Sequence, residues 1–313
     1  MGSHILLDVP LPPSVMDLFD SGDRFHLLGD LADEDDRWQL IDAYLTYGHP
    51  PTDAAVMDRM PNLKVISNFG VGVDHIDTEA ARVRGVPVGN TPNMLDGATA
   101  DMTFTLLMAA ARRVVVGDRF ARSPGFTHYD PSILHGYEVH GSTIGIIGMG
   151  SIGKQVARRA RGFDMEIIYH NRKPDPEGSE YGARYVSLET LLDTADFVTL
   201  NCPLTDETRG LIDEDALKRM KHTAILINLA RGGVVDHDAL FNALSNGWIA
   251  GAALDVTEPE PLPRDHPLLT LDNLVIAPHL GSATTRTRHA MARRTVENLK
   301  AGLDGRTLIT GVA

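Results

Sequence analysis

The sequence predicts an α/β protein of two doubly wound domains, each built on a parallel sheet. The 313 residues exceed the size at which one hydrophobic core stops growing. Short apolar runs alternate with helical patterns, as parallel strands with crossover helices require. The alternation is interrupted once, by a long helical pattern from Ala98 and a segment with Gly, Pro and aromatic residues that reaches Gly141. That interruption is the predicted boundary between the domains.

Periodicity then places the individual elements. In the first half it predicts strands at residues 5–9, 65–68 and 86–88 and a helix at 78–84. In the second half it predicts six strands, at residues 143–147, 166–169, 197–200, 224–228, 251–255 and 274–277. A final helix is predicted from about 284 to 303. Six strands with intervening helices are typical of a doubly wound sheet.

Charge and composition exclude several function classes. Twenty-nine Lys and Arg against 42 Asp and Glu give a formal net charge of −13, which repels nucleic acid and anionic membranes. No apolar run reaches the roughly 18 residues of a membrane span. Cys202 is the single cysteine, so no intrachain disulfide forms and a cytoplasmic location is expected. No metal site is predicted.

The stretch GIIGMGSIG has the layout of a dinucleotide-binding turn. Gly148, Gly150 and Gly153 follow an apolar strand and precede a helical pattern. The first glycine makes the tight turn, the second admits a pyrophosphate to the backbone, and the third permits close packing of helix and strand. A Rossmann-like cofactor site is favoured over a merely structural turn.

The stretch YHNRKP indicates which dinucleotide is bound. Asn171 follows Gly153 by eighteen residues, about where an acidic residue binds the ribose hydroxyl of NAD. With Asn171 the repulsion of a 2′-phosphate is lost, and Arg172 and Lys173 supply positive charge. NADP(H) is therefore the preferred cofactor and NAD(H) a possible one, against the alternative of a solvated basic turn.

Three more segments place polar groups just beyond predicted strands, where open α/β sheets bind ligands. They supply Arg231, then Asp255 and Glu260, then His279. Each alone has an ordinary structural explanation. Together they suit hydride transfer to a ketone, in which His279 gives the proton, Glu260 favours the charged imidazolium, and Arg231 binds a carboxylate through two hydrogen bonds.

With these residues the chain resembles the D-isomer-specific 2-hydroxyacid dehydrogenases over nearly its whole length. The similar segments are SNFGVGVDHID, GNTP with ATAD, GIIGMGSIG, INLARGGVVD, DVTEPEP and APHLGSAT. The resemblance implies that Arg231 binds substrate, that Glu260 supports its partner, and that His279 is the acid/base. It also implies that Asp255 contacts the nicotinamide carboxamide.

The resemblance implies further site residues. The turn at Val71 and Gly72, which alone reads equally as a plain turn, offers backbone N–H groups to the substrate carboxylate, and Ser282 also contacts substrate. Further cofactor contacts are expected from Thr99, Ser151, Ile152, Cys202, Pro203, Thr208, Leu229, Ala230, His279 and Gly281.

The resemblance also implies the domain order. Residues 98–285 form the NAD(P)-binding domain, inserted in a discontinuous substrate domain of residues 1–97 and 286–313. Residues 114–140 resemble an arm that embraces a second subunit, and Phe120, Phe126, Tyr129 and Tyr137 are candidates for burial in a homodimer interface.

Within the family, GVGVDHID, YHNR and PHLGSAT are most similar to glyoxylate and hydroxypyruvate reductases. The expected activity is NADPH-dependent reduction of small 2-keto acids, glyoxylate to glycolate and hydroxypyruvate to D-glycerate. A broad or aromatic 2-keto acid reductase is the near alternative. A non-catalytic dinucleotide-sensing binding protein is the remote one.

Overall fold

The computed structural model describes residues 2–312 and divides into two compact units. The first comprises Met1–Leu95 together with Thr284–Ala313, and the second comprises Asp96–Ala283. Each is an α/β unit with an all-parallel sheet. Across residues 2–312, none of the helices combines the length and the apolar character that a membrane crossing requires.

The first unit has a five-stranded sheet in the order β2-β1-β3-β4-β5. Its strands are β1 (His4–Leu7), β2 (Arg24–Leu27), β3 (Ala43–Thr46), β4 (Val65–Asn68) and β5 (Val88–Gly89). Its first helices are α1 (Pro13–Met16), α2 (Ala54–Asp58) and α3 (Thr78–Val83). The carboxylates of Asp53 and Asp77 cap α2 and α3 by accepting backbone N–H groups of the first turn. Tyr44 and Ile66 are fully buried in the core on this sheet.

The second unit has a seven-stranded sheet in the order β12-β11-β10-β9-β6-β7-β8. Its strands are β6 (Thr143–Ile147), β7 (Glu166–His170), β8 (Ala183–Tyr185), β9 (Phe197–Leu200), β10 (Ile225–Asn228), β11 (Gly251–Leu254) and β12 (Leu274–Ile276). Its helices are α4 (Asp96–Ala111), α5 (Val114–Ala121), α6 (Ser151–Ala160), α7 (Leu188–Thr194), α8 (Glu214–Arg219) and α9 (His237–Ser245). The chain then returns to the first unit with α10 (Thr285–Leu303).

Strand order in the second unit determines where its ligands bind. From β6 the chain builds outward to β7 and β8 on one side, and β9 to β12 continue the sheet on the other. The order therefore reverses between β6 and β9, and the turn after β6 lies at this switch point. Apolar residues of both faces are buried, as a sheet covered by helices on each side requires.

The two-sheet α/β prediction is confirmed, but the prediction of six strands in the second half was wrong. β8 is a three-residue edge strand with a polar, mostly exposed sequence, so it shows no apolar run. β2 and β3 were also missed. β2 is a partly exposed edge strand, and β3 is a short buried one whose AYLT sequence gives no alternation.

Candidate active site

The three glycines of the turn after β6 differ in backbone conformation and in the space around them. Gly148 has a φ of +99°, and a Cβ there would lie 2.6 Å from the Asn201 carbonyl carbon and the Cys202 nitrogen. A Cβ on Gly153 would lie 2.2 Å from the Gly148 carbonyl oxygen. A Cβ on Gly150, at the start of α6, meets no other atom within 4 Å. Only Gly150 therefore faces open space, as a backbone that admits a pyrophosphate must.

Asn171, just after β7, is bonded to this turn. Its Oδ1 accepts the Met149 backbone N–H at 2.6 Å, and its own carbonyl oxygen accepts the Tyr185 hydroxyl at 3.2 Å. The amide thus fixes the position of the glycine turn as well as occupying the position of the expected acid. Sequence reasoning predicted the second role and missed the first, which depends on a contact across 22 residues.

The segment after Asn171 is tied to α6 and β7. Lys154 of α6 forms ion pairs with Asp175 at 3.1 Å and with Glu177 at 2.6 Å. The Asp175 backbone N–H donates to the Tyr169 hydroxyl at 3.0 Å. These contacts hold the C-terminal end of a short exposed segment that contains Arg172 and Lys173, and the Asn171 hydrogen bonds hold its N-terminal end.

Arg172 and Lys173 are exposed and, within residues 2–312, neither has a carboxylate within ion-pair distance. The Thr205 hydroxyl lowers the pKa of Glu207, and the charge of Arg172 adds to the lowering. Glu207 therefore lies within electrostatic reach of Arg172 without pairing to it. The two cations suit a 2′-phosphate dianion, and together with the open backbone at Gly150 they fit a bound NADP.

The other predicted cofactor residues surround the same strand ends. The Thr208 hydroxyl donates to the Pro203 carbonyl at 2.7 Å, which closes the loop after β9. Cys202 begins that loop, and burial raises the pKa of its thiol to about 11. Because the thiol is neutral at physiological pH, Cys202 acts by packing and not as a nucleophile. Ser151 and Ile152 form the first turn of α6.

Asn228, the last residue of β10, holds the loop that carries Arg231. Its Oδ1 accepts the Ala230 N–H at 2.9 Å and its Nδ2 donates to the Arg231 carbonyl at 2.9 Å. The side chain is fully buried, so these bonds act in a medium of low dielectric. Ala230 and Arg231 are thereby held in place just beyond β10, and the backbone of Arg231 is extended.

Asp255 follows β11 and organises the loop after β12. Its carboxylate accepts the N–H groups of Leu280 and Gly281, both at 2.7 Å, and its carbonyl oxygen accepts the N–H of His279 at 2.9 Å. Burial raises the pKa of Asp255, and the two backbone N–H groups oppose that shift. A Cβ on Gly281 would lie 3.2 Å from the Asp255 carboxylate and 3.5 Å from Thr99. Asp255, Gly281 and Thr99, all predicted to contact the cofactor, therefore lie close together.

His279 and Glu260 form a pair. The His279 Nδ1 lies 2.7 Å from the Glu260 Oε1, and both side chains are only partly buried. Because Nδ1 contacts the carboxylate, proton transfer from this ring to a ligand would take place at Nε2. His279 has a φ of +57°, a left-handed conformation that is unfavourable for a non-glycine residue and that the Asp255 hydrogen bonds maintain. Ser282 follows in the same loop, half-buried.

The loops that carry Arg231 and Glu260 are in direct contact. A Cβ on Gly232 would lie 2.1 Å from the Thr257 carbonyl carbon, and a Cβ on Gly233 would lie 2.0 Å from the Glu258 Oε2. At Gly232, where the neighbouring atoms are backbone, a side chain has no room. β10, β11 and β12 are also adjacent in the sheet. The structure therefore brings the strand ends that bear Arg231, Glu260 and His279 together.

In the first unit, the turn after β4 presents two N–H groups. The carbonyl oxygens of Val71 and Gly72 accept the side-chain amides of Asn90 and Asn68, both at 2.8 Å. Within residues 2–312, the N–H groups of Val71 and Gly72 have no hydrogen-bond acceptor. Two adjacent N–H groups of this kind suit a carboxylate. The supporting asparagines were missed from sequence because an Asn beyond a strand is equally typical of an ordinary turn.

A glycine turn at the switch point and a His–Glu pair at the neighbouring strand ends define the class of a dinucleotide-dependent oxidoreductase. Residues 104–281 match the family model described as "D-isomer specific 2-hydroxyacid dehydrogenase, NAD binding domain". The chain belongs to the D-isomer specific 2-hydroxyacid dehydrogenase family and is an NAD(P)-dependent oxidoreductase.

Similar proteins include two archaeal glyoxylate reductases. That of Korarchaeum cryptofilum is 51% identical over 269 residues, 85% of this chain and 81% of its own. That of Thermococcus kodakarensis is 49% identical over 270 residues, again 85% and 81%. Among solved structures, the NADPH-dependent glyoxylate/hydroxypyruvate reductase of Sinorhizobium meliloti, in complex with NADP and malonate, is 30% identical with a TM-score of 0.90. The match covers 100% of this chain and 97% of that one.

Proposed function

We propose that this enzyme reduces glyoxylate to glycolate and hydroxypyruvate to D-glycerate, with NADPH preferred over NADH. The observation that carries the proposal is the pairing of His279 with Glu260 at the strand ends next to the Arg231 loop. The glyoxylate reductases at about half identity support the substrate class. The exposed cations after Asn171 support the cofactor preference.

In this mechanism each residue has one role. Arg231 binds the substrate carboxylate through a charge-assisted pair of hydrogen bonds, and the Val71 and Gly72 N–H groups are further donors proposed for that carboxylate. The imidazolium of His279 donates its Nε2 proton to the carbonyl oxygen, which becomes the hydroxyl of the product. Glu260 holds the ring in place and stabilises its positive charge. When bound, NADPH supplies the hydride that reduces the carbonyl carbon.

The proposed cofactor contacts involve the same strand ends and loops. Gly148, Gly150 and Gly153 with Ser151 and Ile152 hold the pyrophosphate, and Asp255 orients the nicotinamide amide. Thr99, Cys202, Pro203, Thr208, Leu229, Ala230 and Gly281 line the remainder. Arg172 and Lys173 pair with the 2′-phosphate. We also propose a homodimer formed through the arm of residues 114–140, and a cytoplasmic location on the evidence of the single cysteine.

The test is a steady-state panel of glyoxylate, hydroxypyruvate and longer or aromatic 2-keto acids, each with NADPH and NADH. We expect the highest kcat/KM for the two small acids with NADPH. His279→Ala should lower kcat about 10²- to 10⁴-fold, the usual contribution of a general acid, while NADPH binding followed by fluorescence is retained. Arg231→Ala should mainly raise KM for the keto acid.

Two outcomes would replace the proposal. Faster turnover of aromatic or long 2-keto acids than of glyoxylate identifies a broad 2-keto acid reductase. NADPH binding without turnover of any acid in the panel by the wild-type enzyme identifies a dinucleotide-sensing protein.

A further inference from the structure

Arg288, in the first turn of α10, contacts Tyr47 at the end of β3. Its guanidinium carbon lies 5.3 Å from the centre of the Tyr47 ring, and its Nη1 donates to the Tyr47 hydroxyl. Both residues are half-buried and belong to the first unit. Among residues 2–312, no carboxylate lies within ion-pair distance of Arg288.

The position of Arg288 in the helix bears on what it can bind. Acidic residues outnumber basic ones 42 to 29 in the chain, and several arginines pair with a carboxylate, such as Arg84 with Asp58 at 2.8 Å, whereas Arg288 contacts Tyr47. The first turn of a helix carries partial positive charge, which disfavours a cation there. A half-buried guanidinium without a carboxylate, at such a position, is suited to an anionic or strongly polar ligand.

Tyr47 lies beside the turn that presents the Val71 and Gly72 N–H groups. Thr46 of β3 is in register with Asn68 of β4, so the residues that follow run side by side. The Tyr47 and Phe69 rings are 4.6 Å apart, and the His49 Nε2 lies 3.7 Å from a Cβ built on Gly70. The two strand ends are thus neighbours at the same edge of the sheet.

The end of β3 is held in a fixed position. The Asp8 carboxylate, just after β1, accepts the backbone N–H groups of Tyr47 at 2.8 Å and Gly48 at 2.7 Å, and the Thr46 hydroxyl at 3.0 Å. Asp8 therefore fixes the backbone under Tyr47 and is satisfied by these donors. The Tyr47 ring in turn supports the guanidinium by a cation–π contact.

We propose that Arg288 and Tyr47 bind the substituent on the third carbon of the 2-keto acid and favour substrates in which it is a hydroxyl or a carboxylate. This inference rests on the proposed function, in which the first carboxylate lies on Val71 and Gly72. Adjacent strands are about 4.8 Å apart, a spacing that a three-carbon acid bridges. Arg288 donates one N–H to the Tyr47 hydroxyl and has further N–H groups that can donate to a ligand. The Tyr47 hydroxyl can donate its own hydrogen. Glyoxylate has no third carbon and does not use the pair.

The experiment measures kcat/KM with NADPH for glyoxylate, pyruvate and hydroxypyruvate in four proteins: wild type, Arg288→Met, Tyr47→Phe and Arg286→Met. Arg288→Met should lower the value for hydroxypyruvate about 10- to 100-fold, as expected for a lost hydrogen bond to a charged group, and change that for glyoxylate less than about 3-fold. Tyr47→Phe keeps the ring and should reduce hydroxypyruvate turnover about 3- to 10-fold. Arg286, exposed in the same helical turn, is the matched control and should change neither.

Glyoxylate turnover also shows that each variant is folded. Equal losses for all three acids in Arg288→Met and in Tyr47→Phe would assign the pair a purely structural role and overturn the inference. Should Arg288→Met not fold, an unchanged ratio of hydroxypyruvate to pyruvate in Tyr47→Phe overturns it equally. Absence of glyoxylate turnover in the wild type contradicts the proposed function instead, so the two failures are distinct.

Discussion

Asn171 combines a hydrogen bond to the glycine turn with a position that is proposed to select the cofactor. Its position after β7 removes the negative charge that would repel a 2′-phosphate, and its Oδ1 holds the Met149 N–H of the glycine turn. An aspartate would accept the same hydrogen bond, so the amide is not required for the turn. What distinguishes the amide is its lack of charge beside Arg172, which supports the proposed preference for NADP because no carboxylate repels the 2′-phosphate.

Arg172 is the residue at which the cofactor preference is tested. Arg172→Ala removes the exposed cation that suits the 2′-phosphate, so KM for NADPH should rise about 10- to 100-fold while KM for NADH changes less than about 3-fold. Steady-state kinetics with each cofactor at saturating glyoxylate measure both values. Arg184→Ala, an exposed arginine on β8 already paired with Glu166 at 2.7 Å, is the control. Similar increases for both cofactors in Arg172→Ala would contradict the assignment.

The candidate site residues that sequence reasoning could predict are those marked by a local pattern. Arg231, Glu260 and His279 follow strands with strong apolar runs, and the glycine spacing is read directly. Residues that act by support were missed, namely Asn68, Asn90 and Asn228, since their roles depend on loops brought together by folding. The pairing of Arg288 with Tyr47 joins residues 241 apart in the chain, and no local pattern indicates it.

Among the elements, strands with a clear apolar run were predicted within one or two residues, whereas the edge strands β2 and β8 and the short buried strand β3 were not. β6 and β9 were placed correctly because both faces of each are covered, which produces a continuous apolar run. β2 and β8 lie at the outer edges of their sheets and carry polar residues. Helix α5 was missed because it lies at the start of the segment that contains Gly, Pro and aromatic residues. Arg113, with a φ of +53°, separates it from α4.

In the turn that joins β6 to α6, the structural role of Gly148 can be tested separately from the proposed ligand-binding role of Gly150. Gly148→Ala places a methyl group against the Asn201–Cys202 backbone at a positive φ, so Tm should fall by about 4 to 8 °C, equivalent to roughly 2 kcal/mol for a domain of this size. Gly150→Ala meets open space, so Tm should change by less than about 2 °C while KM for NADPH rises at least tenfold. Differential scanning calorimetry without cofactor and steady-state kinetics provide the two measurements. A large loss of Tm in Gly150→Ala would show that its role is structural.

At the scale of the molecule, two parallel-sheet units share one chain, and the first is completed by α10 after the second is finished. α10 is anchored to its own unit by buried polar contacts. The Ser67 hydroxyl donates to the Thr295 carbonyl at 2.8 Å, and the Asn298 Nδ2 donates to the Asn90 carbonyl at 3.1 Å. Because Asn90 also supports the Val71 carbonyl, α10 stabilises the turn proposed to bind the substrate carboxylate.

The arm of residues 114–140 carries several exposed large apolar side chains. Tyr129 is 81% exposed and Phe126 is 49% exposed, with Ile133 and Tyr137 at 40% each. Phe120 and Phe126 form an edge-to-face pair at 5.6 Å, which gives the arm a local apolar centre. Exposed aromatic residues concentrated in one segment are typical of a subunit interface and suit the proposed homodimer.

The homodimer is tested by placing charge in that interface. Two carboxylates in the double variant Phe126→Asp, Tyr129→Asp would be desolvated on association, so the dimer should dissociate at micromolar concentration. Multi-angle light scattering should give twice the monomer mass for wild type and the monomer mass for the variant. Val83→Asp, at a 70% exposed valine of α3 outside the arm, should leave the dimer intact. A monomeric wild type would refute the dimer, and a variant that stays dimeric would move the interface away from the arm.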